Sequence, residues 1–206
     1  MTVPGYWQQA TRELSERDAV IRKIAGSSPG LALRSRGDAF STLARSIVGQ
    51  QISVKAAASV WEKFATTVPA IRPEVIHAHD SEALRACGLS RSKVLYLQDL
   101  ARHFIERRLE VARWKRMSDA ELISDLTQVH GIGRWTAEMF LIFYMMRPDV
   151  LPVDDIGLQR AMSLHYNRGR PLTTLKMNAI AKRWLPWRSV ATWYMWRSLD
   201  PVPVEY

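Results

Sequence analysis

The stretch from Val129 to Ala137 contains two glycines one residue apart, Gly131 and Gly133, between two segments whose apolar residues recur at helical spacing. A turn this short between helices needs backbone angles that a side chain would obstruct, and glycine supplies them. The turn also leaves backbone N–H groups without intrahelical partners, and such a helix N-terminus suits a phosphate. The pattern predicts a phosphate-binding turn, and a plain helix–turn–helix connection stays open as the alternative.

A Pro-Val-Asp-Asp segment at residues 152–155 places Asp154 and Asp155 at the start of a predicted helix. Aspartate is a preferred N-cap, so Asp155 taken alone is interpreted as a helix cap. The tryptophans near the end of the sequence, taken alone, are interpreted as core. They are Trp184, Trp187, Trp193 and Trp196. A carboxylate and aromatic rings near a phosphate anchor would also form a pocket for a nucleobase, so both interpretations stay open.

Helical periodicity runs through the rest of the chain, and no segment is a convincing strand. The sequence therefore predicts an all-α fold of about ten short helices with short connections. The predicted N-caps are Asp38, Ser53, Asp80 or Ser81, Ser90, and Thr173 or Thr174, together with a capping box from Ser118 to Glu121.

Three boundaries are predicted from local signals. One helix is expected from Tyr6 to Ile24, and Pro69 and Pro73 are expected to mark a loop. The helix after the glycine turn is expected to end near Met146.

Composition limits the possible partners and compartments. The 206 residues are 47% hydrophobic, which predicts a folded chain, and 29 Lys and Arg outnumber 20 Asp and Glu for a net charge of +9. This excess favours a polyanionic partner such as nucleic acid, with an anionic membrane surface second. A single cysteine, Cys87, excludes an intramolecular disulfide and a four-cysteine metal or iron–sulfur site. No signal core or membrane span is evident, so a cytoplasmic protein is expected.

Three segments in this order resemble the helix–hairpin–helix superfamily of DNA glycosylases, most of all its alkylation-repair branch, 3-methyladenine DNA glycosylase II. They are Gly131 to Ala137, Val153 to Asp155 and Trp187 to Ser189, and the stretch Ile47 to Ser53 fits as well. The resemblance covers about residues 35–200 and corresponds to the compact form of the family, without an extra N-terminal β-rich domain.

The resemblance implies one glycosylase domain over residues 1–206, made of two helical lobes with the active site in the cleft between them. Residues 35–130 would form the central lobe. Residues 1–34 and 131–206 would form the second lobe, with the hairpin at the junction.

The resemblance also implies the residues of the reaction. Asp155 is chosen over Asp154 as the catalytic carboxylate because it lies five residues before Arg160, a spacing seen in several branches of the superfamily. In the branch that also cleaves the DNA backbone, a lysine occupies the position that is Trp135 here. This departure implies a monofunctional, water-using enzyme.

Further roles follow from the same resemblance. The base pocket would contain Trp135, Met139 and Trp196; the DNA backbone would contact Gly131, Gly133 and Arg134; and carbonyls of Thr127, Val129 and Gly131 would hold a structural Na⁺ or K⁺. The loop from Gly49 to Ser53 would insert Gln51 into the gap left by the extruded nucleotide. The alternative is that Gln50 and Gln51 only satisfy backbone groups in a tight turn.

The implied function is excision of alkylated purines from double-stranded DNA by a monomeric, nucleoid-associated glycosylase that needs no cofactor and leaves an abasic site. A non-catalytic DNA-structure-binding protein is the alternative from another class. It accounts for the charge and the glycines, but not for Asp155 and Trp196 at glycosylase spacing. A glycosylase with lyase activity is disfavoured by Trp135.

Overall fold

The computed structural model describes residues 3–35 and 37–199, and within these ranges the regular structure is helical, without a β-strand. The α-helices of the described residues are α1 Trp7–Arg17, α2 Ala19–Gly26, α3 Ala39–Gly49, α4 Val54–Thr67, α5 Pro73–Ala78, α6 Ser81–Ala86, α7 Arg91–Ile105, α8 Val111–Trp114, α9 Asp119–Leu126, α10 Arg134–Phe143, α11 Ile156–Tyr166, α12 Thr174–Ala181 and α13 Arg188–Leu199. A 3₁₀ turn, Lys182–Trp184, follows α12. The all-α prediction is confirmed, and no helix of the described ranges is long and apolar enough to cross a membrane.

The helices form two compact units. Among the described residues, the first combines residues 3–35 with 141–199, and the second contains residues 37–140, so the division falls within α10. In the first unit, Trp7 of α1 packs edge-on against Trp193 of α13, with ring centroids 5.1 Å apart. The hydroxyls of Thr11 and Tyr194 connect the same two helices at 3.0 Å.

The second unit packs around α7, whose residues Leu97 and Leu100 are fully buried. Helix α7 lies against α3 and α5. Phe104 at its C-terminal end contacts both Phe40 of α3 and Trp114 of α8 edge to face. Helix α7 therefore supports the helices on either side of it in the chain, and it also reaches the glycine turn described below.

The predicted helix from Tyr6 to Ile24 is wrong, because Asp18 divides it into α1 and α2. Asp18 is extended, and its side chain accepts hydrogen bonds from the backbone N–H groups of Val20 and Ile21 at 2.9 and 3.3 Å. Its second oxygen accepts from the Tyr166 hydroxyl and the Trp184 indole N–H. These donors offset the cost of burying a carboxylate that is only 2% exposed.

Other boundaries also differ from the predictions. Pro73 is the first residue of α5 rather than part of a loop, a position that its fixed φ and missing N–H suit. Helix α10 ends at Phe143 rather than near Met146, because Met146 adopts a φ of 53° and the chain turns there. The short helix α8 carried no sequence signal.

The predicted caps are confirmed, with Asp80 and Thr173 as the caps at the two positions where a choice was open. Side-chain oxygens accept from the backbone of the first helical turn at Asp38, Ser53, Asp80, Ser90, Thr173 and the Ser118–Glu121 capping box.

Candidate active site

The two glycines of the turn between α9 and α10 have different structural roles. Gly131 has a φ of 84°, and a β-carbon there would overlap the ring of Tyr96. Gly133 has no positive φ, and a β-carbon there would meet nothing within 4 Å. The expectation that the bend requires both glycines is therefore right for Gly131 and wrong for Gly133. At Gly133 the absent side chain leaves open space beside the start of α10.

Two side chains of the second unit hold the turn from outside it. The Asp99 carboxylate accepts a hydrogen bond from the His130 backbone N–H at 2.9 Å, and the Gln50 side-chain amide donates to the Gly131 carbonyl at 2.8 Å. Burial by itself would raise the pKa of Asp99, but the His130 N–H and the Arg102 guanidinium lower it below its usual range. Asp99 is therefore ionised at neutral pH, when it anchors the turn most strongly.

The start of α10 offers donors to an anion. The first N–H groups of an α-helix lack intrahelical partners, and the helix dipole makes this end positive. The first bond along α10 runs from the Ala137 N–H to the Gly133 carbonyl at 3.0 Å. Arg134 adds an exposed cation, and its Nε donates to the carboxylate of buried Glu138 at 2.9 Å. The turn, the helix end and Arg134 together can bind a phosphate group.

Asp155 caps α11 and also contacts a tryptophan. Its Oδ1 accepts from the Leu158 backbone N–H at 2.6 Å and from the indole N–H of Trp196 at 2.7 Å. The Trp196 ring stacks on Phe143, with centroids 5.7 Å apart and planes 10° from parallel. The two interpretations of Asp155 from sequence are therefore compatible, because one carboxylate makes the cap and faces an aromatic group. Its neighbour Asp154 is exposed.

The absence of a side chain at Gly157 leaves room for the contact between Asp155 and Trp196. A β-carbon at Gly157 would lie 3.1 Å from Oδ1 of Asp155 and 3.2 Å from Cδ1 of Trp196. Both distances are shorter than ordinary van der Waals contact, so a side chain at this position would displace the carboxylate or the indole. Sequence reasoning missed Gly157 and Phe143, since neither has a local signal that relates it to Asp155.

The predicted site residues are divided between the units. Asp155 and Trp196 belong to the first unit, whereas Trp135, Met139 and the glycine turn belong to the second. Trp135 is half-buried and Met139 is buried. The supporting residues Gln50, Tyr96 and Asp99 of the second unit were missed as hairpin contacts, because each lies far from the hairpin in sequence.

Gln51 lies in the loop between α3 and α4, in the second unit. Its φ is 59°, and its side chain is exposed, as is that of Ile52. A non-glycine residue in this left-handed region costs on the order of 1–3 kcal/mol, and such strain concentrates at functional positions. Gln50 donates to the backbone of the hairpin, a contact that neither interpretation from sequence predicted, whereas the Gln51 side chain is exposed.

The carbonyl oxygens of Thr127, Val129 and Gly131 are chemically suited to a hard monovalent cation. The Val129 carbonyl already accepts from the Ile132 N–H at 3.0 Å, and the Gly131 carbonyl accepts from Gln50. A carbonyl oxygen has two lone pairs, so these bonds leave it capacity for a cation. The described residues contain no cluster of His, Cys, Asp or Glu able to hold a metal ion.

The chain is similar in sequence to a known protein family and to known proteins. Residues 44–186 match the family described as HhH-GPD superfamily base excision DNA repair protein. DNA-3-methyladenine glycosylase 1 of Schizosaccharomyces pombe is 30% identical over 183 residues, which are 87% of this chain and 80% of that protein.

Solved structures agree with the sequence comparison. The crystal structure of a DNA-3-methyladenine glycosidase from Bacillus halodurans has a TM-score of 0.85 at 30% identity, covering 97% of this chain and 93% of that one. The S. pombe 3-methyladenine DNA glycosylase in complex with abasic DNA has a TM-score of 0.80 at 29% identity, covering 96% of this chain and 98% of that one.

Proposed function

This chain belongs to the HhH-GPD superfamily of base excision DNA repair proteins, and on that premise we propose that it hydrolyses the N-glycosidic bond of alkylated purines in DNA. It is a glycosylase of the 3-methyladenine type. The observation that carries the mechanism is the Asp155 carboxylate, held by the Leu158 N–H and the Trp196 indole. We assign the catalytic role to this group.

Binding begins at the DNA backbone. The N–H groups at the start of α10 and the Arg134 guanidinium hold phosphates, which gives affinity without reading sequence. The open space at Gly133 allows the phosphate to approach the helix end closely. A monovalent cation on the carbonyls of Thr127, Val129 and Gly131 would add positive charge at the hairpin, and no step below depends on it.

The damaged nucleotide must then leave the base stack, because its glycosidic bond cannot be reached inside the duplex. Unstacking costs a few kcal/mol, and a side chain that fills the gap offsets part of this cost. Gln51 is assigned to the gap because it is exposed in a strained loop of the second unit. Its amide can hydrogen-bond the base left without a partner.

The extruded base binds aromatic rings. An alkylated purine carries positive charge, and a tryptophan face favours a cation by roughly 0.5–2 kcal/mol. Trp135 and Trp196 are assigned to this contact, with Met139 as an adaptable apolar neighbour. The positive charge that the rings recognise also weakens the bond to be broken.

Asp155 supports the bond-breaking step. The electron pair of the N-glycosidic bond leaves with the purine, which neutralises the base and leaves positive charge on the sugar. The fixed carboxylate stabilises that charge and orients a water molecule, whose oxygen attacks the sugar while the carboxylate accepts its proton. The products are the free base and an abasic site.

The alternative is a DNA-structure-binding protein without catalysis. It would use the hairpin and the basic surface in the same way, but it has no use for a carboxylate held against Trp196. DNA is the partner in either case. That the DNA contains alkylated bases, that the enzyme acts as a monomer, and that it works at the nucleoid in the cytoplasm belong to our proposal.

The deciding experiment is incubation of the protein with methylated duplex DNA, followed by identification of released bases by mass spectrometry. We expect free methylated purines and heat-labile abasic sites in equal amounts. Tight binding to the duplex without base release would favour the non-catalytic alternative.

A further inference from the structure

Gln50 and Gln51 are adjacent in the loop after α3, and their side chains have different surroundings. Gln50 is half-buried, and its amide donates to the Gly131 carbonyl at 2.8 Å, across 81 residues of sequence. Gln51 is exposed with a φ of 59°. The hydrogen bond from Gln50 therefore joins the loop that carries Gln51 to the hairpin.

The hairpin end of this bond is firmly placed. The ring of Tyr96 lies where a side chain at residue 131 would be, and Asp99 accepts from the preceding N–H group, that of His130. Tyr96 and Asp99 both belong to α7. The Gly131 carbonyl therefore has a position fixed by the core of the second unit.

The start of the loop is also held by α7. The ammonium group of Lys93, also in α7, donates to the Val48 carbonyl at 2.8 Å, near the C-terminus of α3. Ser53 caps α4 on the far side of the loop. With both flanks held, the side chain of Gln50 connects residues 50–53 directly to the phosphate-binding turn.

We propose that Gln50 is a positioning residue that couples Gln51 to the phosphate-binding hairpin. Phosphate binding then sets the depth and direction at which Gln51 enters the duplex. This inference rests on the proposed function, because it presumes that Gln51 fills the gap left by an extruded base. Gln50 itself contacts neither the base nor the reacting atoms.

The test is a double-mutant cycle on two substrates, with a methylated purine either paired or opposite an abasic site. Loss of one hydrogen bond predicts that Gln50→Ala slows single-turnover excision of the paired lesion by about threefold to tenfold. The rate of excision opposite the abasic site should change by less than about twofold, because no paired base has to be separated there. A change of this size is typical of substitutions at the protein surface. Affinity for undamaged duplex should stay within the same limit.

Coupling to Gln51 is measured by the double variant. If Gln50 acts through Gln51, Gln50→Ala should add no further slowing in a Gln51→Ala background, because contacting residues that act as a unit are not additive. Additive slowing would overturn the proposal. So would equal slowing of both substrates, and so would an unchanged rate in either single variant.

Gln98→Ala is the matched control. Gln98 lies in α7 of the same unit, and its amide contacts the His79 carbonyl and the Ser81 hydroxyl rather than the hairpin. This substitution removes a comparable hydrogen bond that does not involve the hairpin. We therefore expect it to change the excision rates of the two substrates equally. Gln50→Glu keeps the size of the side chain but lacks the donor when ionised, and it should reproduce the selective slowing if Gln50→Ala fails to fold.

A second readout separates this inference from the proposed function. Duplex DNA with 2-aminopurine paired with thymine reports unstacking by fluorescence without any excision. Slower unstacking by Gln50→Ala than by the native protein supports the coupling even if no methylated base is released. Unchanged unstacking, with excision intact in the native protein, overturns the coupling alone.

Discussion

Asp155 combines a structural role with a proposed chemical one. Its Oδ1 accepts from both the Leu158 N–H and the Trp196 indole, so the carboxylate has little freedom to turn. A group that is fixed before the substrate arrives needs no reorganisation when charge develops on the sugar. The cap at the start of α11 therefore helps to prepare the group for catalysis.

We predict that Asp155→Asn lowers single-turnover excision by on the order of 10²-fold or more, because an amide cannot stabilise the sugar cation as a carboxylate does. Asparagine remains a good N-cap, so the melting temperature and DNA affinity should change little. Asp154→Asn is the control and should retain most activity. Full activity in Asp155→Asn would contradict the mechanism.

Gly157 provides a milder test of the same site. Gly157→Ala would place a β-carbon 3.1 Å from Oδ1 of Asp155 and 3.2 Å from Trp196. A displacement of a few tenths of an ångström should lower the single-turnover rate by about tenfold, since a misplacement of 1 Å can cost about 10²-fold. Duplex affinity should be unaffected. An unchanged rate would mean that the position of the Asp155 carboxylate is not limiting.

Trp135 stands where a Schiff-base lysine would be needed for strand cleavage. We predict no covalent protein–DNA complex when borohydride is added during turnover, and no strand break until alkali or heat is applied. The measurement is denaturing gel electrophoresis of both protein and DNA. A trapped adduct would reverse the monofunctional assignment.

At the scale of elements, the turn between α9 and α10 contains two glycines with different roles, one in folding and one proposed for DNA binding. Gly131 faces Tyr96 and needs its positive φ, whereas Gly133 has open space around it. The fold thus accounts for the first glycine, and for the second we propose the close approach of a phosphate.

Alanine substitutions should separate these roles. Gly133→Ala should leave the free energy of unfolding within about 0.5 kcal/mol while weakening binding to damaged and undamaged duplex alike. Gly131→Ala should destabilise the protein by at least about 1–2 kcal/mol, the cost of a left-handed residue with a β-carbon. Chemical denaturation and duplex affinity at matched salt check both. Loss of affinity for damaged DNA alone in Gly133→Ala would argue against a backbone contact.

The helices also show which structural features could be predicted from the sequence. N-caps such as Ser53 and Ser118 were predictable because the cap and its helix are neighbours in the chain. The cap at Asp155 was predictable for the same reason. The break at Asp18 was not, because the apolar spacing continues across it and the donors that stabilise it, Tyr166 and Trp184, lie far along the chain. The contact from Gln50 to Gly131 has no local signal for the same reason.

At the scale of the whole molecule, the net charge of +9 favours a polyanion. We predict that the logarithm of duplex affinity falls linearly with the logarithm of salt concentration as phosphate contacts release counterions. Arg134→Gln should reduce the slope by about one if this side chain neutralises one phosphate. Arg85→Gln removes a cation that pairs with Glu82 in α6, and it should leave the slope unchanged. Equal slopes in all three proteins would remove Arg134 from the interface.

The first unit is made of two segments that lie far apart in the chain, and this affects how it can fold during synthesis. In α1, Trp7 packs against Trp193 and Thr11 hydrogen-bonds to Tyr194. Both partners belong to α13, which is translated long after α1. The second unit, residues 37–140, is continuous in the chain and is complete when these partners have yet to be translated. Since domains fold as units during synthesis, the apolar face of α1, formed by Trp7, Ala10 and Leu14, lacks its α13 partners while residues 37–140 fold. We therefore expect molecular chaperones to bind the nascent chain at α1.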